Sequence, residues 1–223
     1  PAGPAAGICL HAVLEKYRFE RPAAAQAERV AETLNRHGFD SASWLAPVLA
    51  MIEQIATLPL GDGLTLAAIP PPAMRTEMDF LLHSESFRLR DIRGFLAAAG
   101  LPPPIQQAAR RLDFYDVEGY ISGFIDLAAL SGSRALLVDY KSNLLGSDAD
   151  AYGQEALEAA VAEHHYYLQA LIYAVAAARY LRGRGSLPET IAVRYLFLRG
   201  LDNPDTRGIW QWDIATADLA PWL

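Results

Sequence analysis

Asp126, Asp139 and Lys141 are spaced for joint chemistry. Two strand-like runs, 117–130 and 134–141, are rich in Ile, Phe, Val and Tyr, and Ser131-Gly132-Ser133 between them reads as a hairpin turn. With Gly132 and Ser133 as the turn residues, Asp126 stands directly opposite Asp139, Cβ atoms about 4.5–5.5 Å apart. Two ionised carboxylates so placed repel each other. Apolar neighbours (Phe124, Ile125 and Leu127; Leu137, Val138 and Tyr140) strengthen that repulsion by lowering the local dielectric. A shared proton or a cation offsets it, and a hard divalent cation such as Mg2+ suits oxygen ligands. Lys141, two residues beyond Asp139, falls on the same strand face. An ammonium there can orient a metal-bound water, assist its deprotonation or stabilise developing negative charge. That combination suits phosphodiester hydrolysis. The same spacing also admits a plain surface pair of Asp139 with Lys141, and a one-residue slip in register would part the aspartates.

Other polar residues have a structural reading beside a functional one. His11 lies on an amphipathic helix with Leu10, Val13, Leu14 and Tyr17, where a lone histidine is by default structural. Glu77 interrupts the apolar run 74–82, as a site carboxylate or as a charge on an edge strand. Gln169 and Tyr173, four apart, share a helix face. His164-His165 marks a bend in a long helical stretch, and Arg179, Arg182 and Arg184 read as a solvated helix end.

The elements that must position these residues follow from pattern. Helices are expected over about 10–17, 23–36 and 43–56, the last capped by Ser41 or Ser43. Segment 58–72, rich in Gly and Pro, reads as a connection holding one short strand, 64–68. A strand over 75–82, a turn at Ser84-Glu85, a helix over 91–99 stopped by Gly100, and a rigid Pro102-Pro103-Pro104 spacer come next. After the hairpin come the helical stretch 148–182, an apolar strand 190–198 and a last strand carrying Trp210 and Trp212. The expected fold class is α/β: a central mixed β-sheet flanked by helices, with an N-terminal helical region. One domain is expected over 1–223, mainly helical over 1–70 with the core over 71–223.

Composition narrows the classes. The 223 residues are 52% hydrophobic and 20% charged, which excludes a disordered or fibrous chain. The formal charge of −7 argues against a protein that coats nucleic acid by its own field. Only two of the 19 basic residues are lysines, Lys16 and Lys141, so each merits scrutiny. The lone cysteine, Cys9, excludes an internal disulfide and a cysteine zinc site. No apolar run reaches membrane-spanning length, so no membrane partner is expected. A start at Pro1 without methionine leads us to expect excision from a longer protein.

The strings Gly123-Phe124-Ile125-Asp126-Leu127, Leu137-Val138-Asp139-Tyr140-Lys141-Ser142-Asn143, Gln169…Tyr173 and Tyr195-Leu196-Phe197-Leu198-Arg199-Gly200 together resemble the RecB nuclease domain family. This is the C-terminal nuclease of the helicase–nuclease exodeoxyribonuclease V, within the PD-(D/E)xK superfamily. Ile125 stands where the superfamily name has proline. The resemblance is dense over 115–200 and extends weakly back to Leu10-His11 and 75–80. It implies a restriction-endonuclease-like core and DNA hydrolysis with Mg2+, with Mn2+ as substitute and Ca2+ binding without catalysis. It implies metal ligation by His11, Asp126, Asp139 and the Tyr140 carbonyl, and Lys141 acting at the attacking water. It places Gln169 and Tyr173 beside the site and DNA, and Glu77 at a family glutamate. It further implies single-stranded DNA fed by helicase domains, RecC-like and RecD-like subunits, RecA as a further partner, a role in break repair and recombination, and a bacterial cytoplasmic setting. Two rival readings stand beside it. One is a catalytically silent nuclease-fold scaffold for docking a recombinase or sister subunit. The other is a stand-alone superfamily nuclease in defence or repair.

Overall fold

The computed structural model describes residues 3–83, 87–114, 119–201 and 208–223. Three helices come first: α1 (Pro4–Lys16), α2 (Ala27–Arg36) and α3 (Ser41–Thr57). The cap of α3 is Asp40, not Ser41 or Ser43. Its carboxylate accepts from the Ala42 backbone N–H at 3.0 Å and the Ser43 hydroxyl at 2.7 Å, serving two donors where one serine oxygen would serve fewer. The short strand expected over 64–68 is instead a 3₁₀ turn, Leu66–Ala68. Among the described residues no strand pairs with it, and the backbone is satisfied locally, Ala68 N–H to Thr65 and Ile69 N–H to Leu66.

Strand β1 (Met74–His83) precedes α4 (Leu89–Ala98) and α5 (Pro103–Arg111). The three prolines do not form a spacer: Pro103 and Pro104 open α5, where a missing N–H costs nothing. Gly100, at φ +64, closes off α4 as expected. The Ser84-Glu85 turn lies outside the described residues. The hairpin is β2 (Tyr120–Ser131) with β3 (Arg134–Lys141). Helices α6 (Gln154–Glu163) and α7 (Tyr166–Gly183) follow, broken at His164-His165, where His165 adopts φ +53. Strands β4 (Thr190–Phe197) and β5 (Ile209–Ala215) complete one sheet of order β1-β2-β3-β4-β5. Only β3 and β4 run parallel, because α6 and α7 supply the crossover that a parallel pair needs.

The sheet separates two hydrophobic cores. One joins α4–α7 to Met78, Leu82, Ile125, Leu137, Val193 and Tyr195. The other joins α1–α3 to Leu127, Ala129, Leu136, Val138, Tyr140 and Leu196. Side chains two apart on a strand should share a face, yet Ile125 and Leu127 enter opposite cores. Met78 and Met74 of β1 divide the same way. The β1–β2 ribbon therefore turns over at the intervening position, where Glu77 faces Asp126 and both drop out of the ladder between Thr76↔Leu127 and Met78↔Ile125. Glu77 absorbs the turn with φ +47, a left-handed conformation that costs a non-glycine residue about 1–3 kcal/mol.

A buried charge staples the helical layer's connection to the sheet. Arg194 of β4, 2% exposed, donates to the Leu60 carbonyl at 2.8 Å and pairs with Asp213 of β5 at 2.7 Å. Arg134 bridges Asp213 and Asp62, each at 2.8 Å. Gly61, at φ +114, gives this room: a Cβ there would lie 3.0 Å from the Arg194 guanidinium.

Candidate active site

The hairpin has the register that Gly132-Ser133 dictates, from Ser131↔Arg134 to Leu127↔Val138. There the ladder stops, one position short of Asp126 and Asp139. The Asp126 carboxylate takes over the pairing and accepts the Tyr140 backbone N–H at 2.7 Å. The two aspartates thus share a fork between diverging strands rather than a cross-strand pair.

Asp139 and Lys141 share a face of β3 and turn toward α7, where each is nearly buried. Their side chains are 6% and 8% exposed, with Nζ 3.0 Å from Asp139 Oδ2. Burial pushes the Asp139 carboxyl up, Lys141 opposes this, and the Asp126 charge adds to it. Lys141 also donates to Gln169 Oε1 at 2.7 Å, and Gln169 Nε2 donates to the Tyr173 hydroxyl at 2.8 Å. The one-turn spacing of Gln169 and Tyr173 on α7 makes this relay.

Two aromatic rings complete the ammonium's surroundings, and neither was singled out by spacing. Nζ sits 3.8 Å from the Tyr166 ring centroid and 4.6 Å from that of Tyr195. Tyr195 donates to the Tyr166 carbonyl at 2.9 Å, and Tyr166 donates to Asn143 Oδ1 at 3.2 Å. The available signal was positional: Tyr166 opens α7 just after the His164-His165 break, and Tyr195 pairs with Asp139 in the parallel ladder.

His11 reaches the fork from the opposite side of the sheet. Helix α1 packs there closely enough that a Cβ on Gly7 would lie 2.6 Å from Ser142 Oγ. His11 Nδ1 is 3.5 Å from Asp126 Oδ2, and its ring meets Tyr140 edge-on at 5.9 Å. The hydrogen bond to Asp126 raises the His11 pKa, against the effect of burial. Glu77 is half-buried on the edge strand β1, its carboxyl raised by burial and then by Asp126. His165 Nδ1 lies 2.8 Å from the Tyr167 hydroxyl, and Arg179 Nε donates to the Trp222 carbonyl at 2.6 Å.

The structure therefore brings His11 to Asp126, and Lys141 to Asp139, Gln169 and Tyr166, at one fork. Among the described residues, no three His, Cys, Asp or Glu side chains form a ready metal cage. The donor chemistry still suits a hard divalent cation: Asp139 and Glu77 carboxyls raised by burial and by the Asp126 charge, an imidazole and a backbone carbonyl. No helix among the described residues is long and apolar enough to cross a membrane.

Comparison with known proteins points to one family. The RecBCD enzyme subunit RecB of Escherichia coli (strain K12) is 35% identical over 213 residues, covering 91% of this chain and 17% of that protein. The same subunit of Mycobacterium tuberculosis (strain CDC 1551 / Oshkosh) is 34% identical, covering 97% of this chain and 23% of that protein. That of Haemophilus influenzae is 34% identical over 71% of this chain. The chain thus spans about a fifth of the length of the first two relatives, at 17% and 23%. The model of the PD-(D/E)XK nuclease superfamily matches residues 2–218. With a mixed five-stranded sheet flanked by helices and a D-x-K pair at its fork, the chain belongs to the PD-(D/E)XK nuclease superfamily.

Proposed function

We propose that this chain hydrolyses DNA phosphodiester bonds with Mg2+, as the nuclease part of a RecBCD-type helicase–nuclease in break repair and recombination. The observation that carries the reading is Lys141: an ammonium held by Asp139 and Gln169 beside a second carboxylate and an imidazole. His11, Asp126, Asp139 and the Tyr140 carbonyl would hold the cation, with Mn2+ able to replace it. Bound there, the cation supplies a Lewis acid and lowers the pKa of water.

The residues' own tasks follow from their contacts. Asp139 and Gln169 take two of the three Lys141 donors, and the third is offered to the attacking water or a phosphate oxygen. The Tyr166 and Tyr195 rings hold the charge in place and limit water around it. Asp126 keeps the Tyr140 backbone in position while orienting His11. Gln169 and Tyr173 line the α7 side, where DNA would pass. RecC-like and RecD-like subunits, RecA and a cytoplasmic setting belong to the same reading, supported by the RecB relatives.

The test is cleavage of linear single-stranded DNA with Mg2+, with EDTA, and with Lys141→Ala. Cleavage that needs the metal and is lost in the variant supports the reading. Activity unchanged in Lys141→Ala would sink it.

A further inference from the structure

We propose that Phe80, on the edge strand β1, is a positioning residue that acts on Lys141 through Tyr173, and that position 123 is glycine to make room for its ring. This role rests on the nuclease reading and extends it to residues outside the ligand set and the D-x-K pair.

The Lys141 ammonium belongs to a closed circuit. It donates to Asp139 at 3.0 Å and to Gln169 Oε1 at 2.7 Å. Gln169 Nε2 donates to the Tyr173 hydroxyl at 2.8 Å, and that hydroxyl in turn hydrogen-bonds Asp139. Tyr173 therefore touches both partners of the ammonium, and a swing of its ring disturbs the two together. Helix α7 sets the Tyr173 backbone but leaves the ring its side-chain torsions, which packing must fix. On one flank packing is loose, because an open groove lined by Phe80, Gly123, Gln169 and Tyr173 among others runs beside the circuit. Phe80 is the support from the ribbon. Its ring meets that of Tyr173 edge-on, with centroids 5.7 Å apart at 73°.

Gly123 shows what that contact demands. Phe80 and Gly123 stand directly opposite each other in the β1–β2 ladder. Met78, Leu82, Ile121 and Ile125, two residues to either side, face the α7 core, so this pair does too. The Phe80 ring lies over Gly123, where a Cβ would come within 2.9 Å of its tip. Glycine inside a strand is less stable than alanine, and Gly123 has no positive φ to require it. Close approach of another group is the remaining reason for glycine there. What the fold gains is an open path for the ring to Tyr173, which a side chain at 123 would obstruct.

The test compares Phe80→Leu, Tyr173→Phe and their double variant in the 223-residue chain. Leucine stays apolar and loses the ring, whereas Tyr173→Phe keeps its ring and loses both bonds of the circuit. Cleavage of linear single-stranded DNA with Mg2+ gives kcat and KM. NMR gives water exchange of the Gln169 side-chain amide, assigned by its absence in Gln169→Glu. Each single variant should lower kcat about three- to tenfold, the worth of one hydrogen bond, with KM within about twofold. The double variant should match the slower single variant, because both act through one hydroxyl, whereas independent losses multiply. Amide exchange should quicken about threefold or more in Phe80→Leu and in Tyr173→Phe alike. Gly123→Ala should repeat the kcat loss by displacing the ring. Gly123→Ala/Phe80→Leu should regain thermal stability but not kcat, since the methyl fills the gap and no ring returns. Multiplied losses in the Phe80→Leu/Tyr173→Phe variant, or unchanged Gln169 exchange in Phe80→Leu, would overturn the role. Stability and kcat returning together in Gly123→Ala/Phe80→Leu would reduce Phe80 to packing and also overturn it. Exchange is read without catalysis, so a wild type that cleaves nothing would count against the nuclease reading and leave exchange to decide the role of Phe80.

Discussion

The Lys141 ammonium lies 3.0 Å from the Asp139 carboxylate, in a pocket where both side chains are less than a tenth exposed. The pair sits at the end of β3 with one side against α7 and the other open to the fork. Burying such a pair costs more than its attraction returns unless further partners satisfy it. Gln169 and the Tyr166 and Tyr195 rings are those partners. Fold stability alone gives little reason for this arrangement, and chemistry at the fork gives a good one.

Lys141→Ala should lower the cleavage rate by about a hundredfold or more, the scale on which a positioned charge acts at a transition state. It also strands a buried carboxylate, so a stability loss of about 3 kcal/mol is expected. Pairing it with Asp139→Asn should recover most of the stability and none of the activity. Urea unfolding and a single-stranded DNA assay on the same samples separate the two effects.

Tyr166 is a positioning residue that acts through Lys141. Tyr166→Phe keeps the ring and loses only the bond to Asn143, so activity should stay within a few-fold. Tyr166→Leu removes the ring, and kcat should fall by about 3- to 30-fold, the worth of one cation–π contact. Equal loss in both variants would show that the hydroxyl, not the ring, matters.

The Tyr140 hydroxyl is buried and finds no hydrogen-bond partner among the described residues. Tyr140→Phe should therefore be neutral or stabilising by about 1 kcal/mol, since it removes an unmet polar group. If Tyr140 contributes through its backbone carbonyl, the variant should keep wild-type cleavage and Mn2+ affinity. A calorimetric Mn2+ titration and a melting curve check both halves.

His11→Ala should weaken Mn2+ binding by about tenfold or more with little loss of stability, because His11 bridges α1 to Asp126 from a half-exposed position. Gly7→Ala tests the same link from the helix. Its Cβ would lie 2.6 Å from Ser142 Oγ and push α1 outward, so Mn2+ affinity should fall although alanine favours the helix.

Asp213 should make stability fall in acid. Burial alone would raise its carboxyl, but Arg194 and then Arg134 outweigh this and hold it below the ordinary carboxylate range. A depressed folded pKa contributes stability that is complete above the unfolded value, about 3.9, and is lost as pH falls through the folded value. The loss therefore belongs below about pH 4. Asp213 is 44% exposed, so Asp213→Asn should cost no more than about 1–2 kcal/mol at pH 7 and flatten the acid limb of the stability curve.

Much of the local structure was legible in the sequence because its causes are local. The two-residue turn at Gly132-Ser133 sets the hairpin register, and period two then puts Asp139 and Lys141 on one face. The His164-His165 break and the Gly100 stop were likewise readable from neighbours alone. Where a segment's state depends on a partner or a boundary, reading failed. Residues 64–68 have no strand to pair with among the described residues, and Pro102-Pro103-Pro104 led into a helix whose first turn tolerates proline.

The sequence by itself determined the mixed α/β fold, the hairpin with its register and the identity of the charged residues, since pattern and turn chemistry act over a few residues. Only the tertiary structure decided who meets at the fork. Tyr166 and Tyr195 reach Lys141 from a helix and a parallel strand that are remote in the chain, and His11 arrives from the far face of the sheet. The half-turn of the ribbon at Glu77 and Asp126 is of the same kind. It follows from two cores competing for opposite faces of one ribbon, a constraint that exists only once both cores have formed.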